Sequence, residues 1–280
     1  MVGIVAGILT VLGFVRFFPL GRNRALAFAP NPGLGVVRLS LLFSAAWFLI
    51  VFLHGADANV EGGYILLYVA LACACLFWGS YARPILSIYG PADVLERGNL
   101  AAALVLAGFT LGTALAFGGA LTGDDASCAG ERLASAKCQA IAAATPEFPA
   151  GSVGEGGWHV VLVFFLLAYV ELRASIALVD RLGGGLADQA RLDRDLSAGV
   201  LLGAVAVAAG SVAGRAAAGD FLGWSEAWSD YWARLWPLAL VPLAGAVVGW
   251  LTTGRPYRVS MRSAASLALV AAGAAWYVLT

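Results

Sequence analysis

The chain has 280 residues, 61% of them hydrophobic and 12% charged. Ordinary soluble domains carry about 25% charged residues, and a soluble globule of this length could not hide so much apolar surface. Lys plus Arg and Asp plus Glu number 17 each, so the formal net charge is zero and bulk electrostatics give no reason to expect a nucleic-acid partner.

The solvent that suits such a chain is the lipid bilayer. A helix crosses the hydrocarbon in about 20 apolar residues. Eight stretches meet that need: 2–20, 34–54, 63–82, 99–121, 158–178, 196–217, 235–253 and 263–280. The expected fold is all-α, a polytopic membrane protein of eight transmembrane helices. The first stretch has the look of a signal peptide, with Ala25-Leu26-Ala27 as a cleavage-like triplet. A signal peptide, however, carries its positive charge ahead of the apolar run. Here Arg16, Arg22 and Arg24 fall at its end or after it, which fits a retained helix.

Loop charges then alternate. One set holds Arg22, Arg24, Arg83, Arg97, Arg181, Arg191, Arg194, Arg255, Arg258 and Arg262. The other holds only Arg132, Lys137, Arg215 and Arg234 and is rich in acidic residues, Asp57, Glu61, Asp124, Asp125, Asp220, Glu226 and Asp230. The positive-inside rule places the Arg-rich set in the cytoplasm, which puts both termini outside. Cys128 and Cys138 fall in the outer loop 123–157, where an oxidising compartment favours a disulfide worth on the order of 2–3 kcal/mol; the alternative is two unpaired thiols. Cys73 and Cys75 read as small packing residues inside a span. His54 and His159 lie at outer span ends. They are read as boundary residues rather than as haem ligands, and no cofactor or metal is expected.

Two segments echo each other, Arg83 to Gly119 and Arg173 to Gly214. The first restarts as Arg97-Gly98-Asn99-Leu100-Ala101-Ala102 and the second as Arg194-Asp195-Leu196-Ser197-Ala198-Gly199, so Asn99 matches Asp195 and Gly108/Gly112 match Ala204/Ala208. The charge pattern gives both hairpins one orientation, as in a parallel repeat. A fainter echo from Arg255 onward extends this to two four-helix halves, 1–122 and 158–280, joined by the loop 123–157. Asn99 and Asp195 stand where helices begin and suit the N-cap position; the alternative is a helix N-terminus facing an ion path. Gly108/Gly112, Gly199/Gly203 and Gly210/Gly214 recur every four residues. That spacing lets helices approach closely in lipid, within the chain or at the seam of a homo-oligomer.

The run from Leu95 through Arg97-Gly98-Asn99 to Gly108-Phe109 resembles the signature of bacterial YjfL-type inner-membrane proteins, and Leu182-Gly183-Gly184-Gly185 before Arg194-Asp195 is similar to a second copy of it. Those proteins carry a paired two-helix domain of unknown function. The resemblance implies a multi-pass protein of the bacterial inner membrane and supplies no substrate or catalytic residue. The second copy departs from the signature, with Asp195 for the Asn and Ala204 for the later Gly.

Glu171 lies inside the fifth stretch. An ionised carboxylate at mid-membrane costs about 2.5–3.5 kcal/mol on insertion scales. Three readings are open: an ion pair with a guanidinium from another helix (Arg16, Arg38 and Arg83 lie at similar depth), solvation at the interface, or an ion or proton role. Farther along, Trp224, Trp228, Trp232 and Trp236 recur every four residues, with Glu226, Asp230 and Arg234 on another face. This pattern predicts an amphipathic helix over 221–236 lying on the outer leaflet, or a stacking site for a sugar or quaternary amine. No phosphate loop, HExxH or nucleophile elbow occurs, so an enzyme is not expected. Two functions fit: a transporter or channel for an ion or small solute, its path at the interface of the repeats near Glu171, Asn99 and Asp195, or a non-transporting scaffold or partner subunit.

Overall fold

The computed structural model describes residues 31–52, 86–122, 157–218, 224–252 and 258–279. Regular structure among them is entirely helical. Five stretches are long and apolar enough to cross a membrane: Pro32–Ile50, Leu100–Leu121, Val160–Leu182, Leu196–Ala217 and Ala227–Thr252. The chain is a helical membrane protein. Six of the eight expected stretches fall on described helices. The stretches 2–20 and 63–82, the Cys128–Cys138 loop and His54 lie outside the described residues, as does the side chain of His159.

Helix α1 (Pro32–Ile50) starts at Asn31, whose Oδ1 accepts from the Leu34 N–H at 3.0 Å, with Pro32 at the first helical position where its missing N–H costs nothing. A π-helical turn, Gly90–Glu96, leads into α2 (Leu100–Leu121). Helix α3 (Gly157–Leu182) is followed by the short α4 (Leu186–Arg191) and by α5 (Leu196–Ala217). Next come α6 (Trp224–Leu235), a 3-10 turn (Trp236–Ala239), α7 (Leu240–Thr252) and α8 (Arg258–Leu279).

Helices α2 and α5 form the centre. Both are sheathed by other helices and bury nearly all their residues. Helix α1 packs on α2, α8 packs on α5, and α3 lies across both, with α7 against α3, α5 and α8. Small residues allow this arrangement. A Cβ on Gly108 would overlap the Gly203 backbone, and one on Gly210 would overlap that of Gly112. Gly199 meets Ala101, Gly203 meets the Leu104 carbonyl, and Gly214 meets Leu115. The six glycines singled out by their spacing thus all face the α2–α5 seam inside one chain. At the far end of α2, Phe117 stands edge-on between Phe48 of α1 and Phe165 of α3, with ring centroids 5.6 and 5.1 Å away. Aromatic pairs of this kind add about 0.5–1.5 kcal/mol beyond area burial.

The expected surface helix at 221–236 does not stand apart from the bundle. Its buried edge is Ala227, Tyr231 and Leu235, and the apolar stretch Ala227–Thr252 runs from α6 into α7. The tryptophans flank that edge. Trp224 and Trp228 are half-buried, Trp228 beside Phe164, whereas Trp232 and Trp236 are 56% and 61% exposed. A four-residue period marks a stripe along a helix; it does not say which neighbouring stripe is buried.

Candidate functional site

Two polar regions stand out, and they differ in how completely their groups are used. The first is the end of the bundle where α2 and α5 begin. The Asn99 side chain accepts from the N–H groups of Ala101 and Ala102 at 3.0 and 3.2 Å and donates to the carbonyls of Ala190 and Arg191, both at 2.9 Å. One residue therefore caps α2 and also fastens it to the end of α4. Asn31 does the same one helix earlier, donating to the Val94 carbonyl at 2.7 Å. The Asp195 carboxylate accepts from the Ser197 N–H at 2.9 Å and the Ser197 hydroxyl at 2.6 Å.

The approaches to the two caps are built alike. The Asn99 N–H donates to the Asp93 carbonyl at 2.9 Å, and the Asp195 N–H to the Gln189 carbonyl at 3.0 Å. The residue before each cap has positive φ, 61° at Gly98 and 54° at Arg194. The left-handed conformation suits glycine and is uncommon for Arg.

An Asp cannot donate as Asn99 does, and Arg262 supplies the missing donors. Its guanidinium is fully buried and donates to Asp195 Oδ2 at 3.2 Å, Ser197 Oγ at 3.3 Å, Gln189 Oε1 at 3.2 Å and Thr252 Oγ1 at 2.7 Å. The expectation counted Arg262 as a loop cation. It lies instead inside α8, where burying a charge is tolerated because an anion and neutral acceptors surround it. Asp93, which sequence reasoning did not single out, is likewise fully buried. Its carboxylate accepts from the Tyr89 N–H at 2.7 Å and pairs with Arg97 at 3.2 Å and Arg191 at 3.4 Å. The partnership with Arg191 crosses 98 positions of chain, so no local pattern announces it.

The second region surrounds Glu171. The carboxylate accepts from the Tyr231 hydroxyl at 2.6 Å, so among the described residues its hydrogen-bond partner is a phenol of α6. Arg16 and Arg83 lie outside the described residues. The neighbouring Arg173 turns to another side of α3, its guanidinium over the rings of Tyr169 and Phe109 at 4.7 and 5.3 Å. Tyr231 is held by Phe164, with ring centroids 5.3 Å apart.

Beside this pair opens a cleft of about 390 Å³. It is lined by Glu171, Ala174, Ser175 and Leu178 of α3, by Trp232 and Leu235 of α6, and by Trp236, Leu238, Ala239 and Pro242 beyond it. The cleft faces the place where the second wall is not a continuous α-helix. The 3-10 turn Trp236–Ala239, which contains Pro237, joins α6 to α7, and neither Pro237 nor Pro242 in the first turn of α7 has an N–H to donate.

Glu171, Asn99 and Asp195 do not come together. None of the residues lining the cleft belongs to the capped ends, and at its glycines the α2–α5 seam brings the two backbones into contact.

The family model described as Domain of Unknown Function (DUF350) matches residues 58–217, more than half of the chain. No curated protein and no solved structure matches. The matched segment contains α2 to α5, both caps and Glu171. It stops at the end of α5, short of Tyr231 and the tryptophan wall. The chain belongs to the DUF350 family.

Proposed function

We propose that this protein is a transporter of a small solute or ion, with its binding site at Glu171 and not at the helix starts. One observation carries the reading: a carboxylate within a membrane-spanning stretch, joined by a phenol among the described residues, faces a cleft whose opposite wall is a broken apolar helix. Carboxylates within spans are costly and mark solute or proton pathways. Transporters commonly bind solute where spanning helices are interrupted. Asn99 and Asp195 serve the fold, as caps and as ties between neighbouring helices.

The test is flux into vesicles reconstituted with the purified chain. The reading expects Glu171-dependent uptake of a monovalent cation, inorganic or organic, or of a polyamine, abolished by Glu171→Gln. Absence of flux for these solutes, with no effect of Glu171→Gln on any of them, would sink it.

A second reading, a scaffold or partner subunit, has its own support. An apolar groove of about 580 Å³ runs across α1, α2, α5 and α8, with Phe43, Leu111, Ala204 and Leu267 among its lining residues. Specific capture of a partner through the segment 179–195, by a protein without flux, would favour that reading.

A further inference from the structure

We infer that the Glu171 cleft takes a hydrophobic organic monocation, an ammonium or phosphonium centre bearing apolar substituents, in preference to an inorganic ion. The inference rests on the reading of Glu171 as the binding site and adds the class of solute.

The first argument is ligand count. A bare inorganic cation must exchange its hydration shell for a cage of oxygens. The cleft offers the Glu171 carboxylate and the Ser175 side chain, while the remaining lining is Ala, Leu, Pro and Trp. The nearby Tyr231 hydroxyl has its hydrogen committed to the carboxylate. Such a surface cannot replace a hydration shell, but it can receive a cation whose charge is already wrapped in hydrocarbon.

The second argument is the aromatic wall. Trp232 and Trp236 both line the cleft with the carboxylate, and the indole face is the best cation–π partner among side chains. One carboxylate matches one positive charge, so the bound pair is neutral in an apolar setting. An anion would meet like charge with no cation among the lining residues.

The third argument is size and access. The volume of about 390 Å³ falls within the roughly 300–1,000 Å³ typical of small-molecule sites. Trp232 and Trp236 are more than half exposed on the outside of the bundle, so the cleft opens laterally, where an amphiphilic cation partitioned into lipid would arrive.

Binding of tetraphenylphosphonium to the full-length chain in lipid nanodiscs, measured by equilibrium dialysis, tests the inference. Saturable binding at one site is expected. Glu171→Gln should weaken it by about tenfold or more, Glu171→Asp should retain most of it, and Trp232→Ala should weaken it by about 5–30-fold, the range of a partly desolvated cation–π contact. Unchanged thermal unfolding of each variant separates loss of the site from loss of fold. Saturable binding that ignores Glu171→Gln would overturn the assignment of the cation to this cleft. No saturable binding, together with Glu171-dependent flux of protons, sodium or potassium, would overturn the solute class and leave the Glu171 site standing. No binding and no Glu171-dependent flux would overturn both.

Discussion

The α2–α5 seam and the cleft between α3 and the α6–α7 segment both lie between stretches apolar enough to cross a membrane, yet in one the backbones close to contact and the other stays open. In the seam, glycine and alanine bring two helices together until the Gly108 and Gly203 backbones touch. In the cleft, a 3-10 turn that contains Pro237 and the bulk of two tryptophans leave a carboxylate beside empty space. Lipid supplies no hydrophobic drive for helices to associate, so close packing has to be built by shape. Where shape is withheld around a costly charge, the gap is better explained by use than by folding.

Substitutions can break or sharpen this contrast. The largest effect is expected at the capped end of the seam. Arg262→Met would leave Asp195 as a buried charge without its guanidinium, at a cost of about 3–5 kcal/mol, seen as a lower unfolding temperature in detergent. Adding Asp195→Asn should recover most of that loss; if the double variant is as unstable as the single, the pair is not what Arg262 serves. Gly108→Val comes next. Its side chain must displace the Gly203 backbone, and overpacking of this kind costs about 1–3 kcal/mol. Wild-type stability in that variant would contradict the close approach.

Asn99→Ala removes a cap worth about 1 kcal/mol together with the tie to α4, and its unfolding should report a loss of about 1–2 kcal/mol. Glu171→Gln is expected to have the smallest effect on stability, within about 0.5 kcal/mol of wild type or slightly stabilising, because the amide can still meet the Tyr231 hydroxyl and no longer carries charge in an apolar site. A large destabilisation by Glu171→Gln would make the carboxylate a structural residue and erase the difference between the two regions.

The seam was far more legible in the sequence than the cleft. Asn99 and Asp195 were visible as caps because a cap is a local device, settled within three residues of chain. The span 196–217 matches α5 in both limits, and the four-residue glycine spacing points into the seam because the period of a helix fixes one face. The roles of Asp93, Arg262 and Tyr231 are not legible there for the opposite reason. Each is defined by a partner far along the chain, Arg191, Asp195 and Glu171 respectively. Counting charges by loop treats Arg262 as a solvated cation, since composition carries no record of the four acceptors gathered around it. The tryptophan period was correct and its burial was not. The edge that packs is Ala227, Tyr231 and Leu235, a small residue, a phenol and an aliphatic one, which form no conspicuous pattern beside four indoles.

The central claim is that cations reach Glu171 through the cleft while the seam stays shut. It can be tested by cysteine labelling in native membranes, in chains whose four natural cysteines are replaced by serine. Ala174 is exposed on the cleft wall, and Ala206 is fully buried in α5, its carbonyl against Gly112. A cationic methanethiosulfonate reagent is predicted to modify Ala174→Cys readily and Ala206→Cys not at all, and adding Glu171→Gln should slow the reaction at Ala174→Cys more for the cationic reagent than for a neutral one. Labelling of Ala206→Cys at a comparable rate, or a rate at Ala174→Cys indifferent to Glu171, would contradict the account.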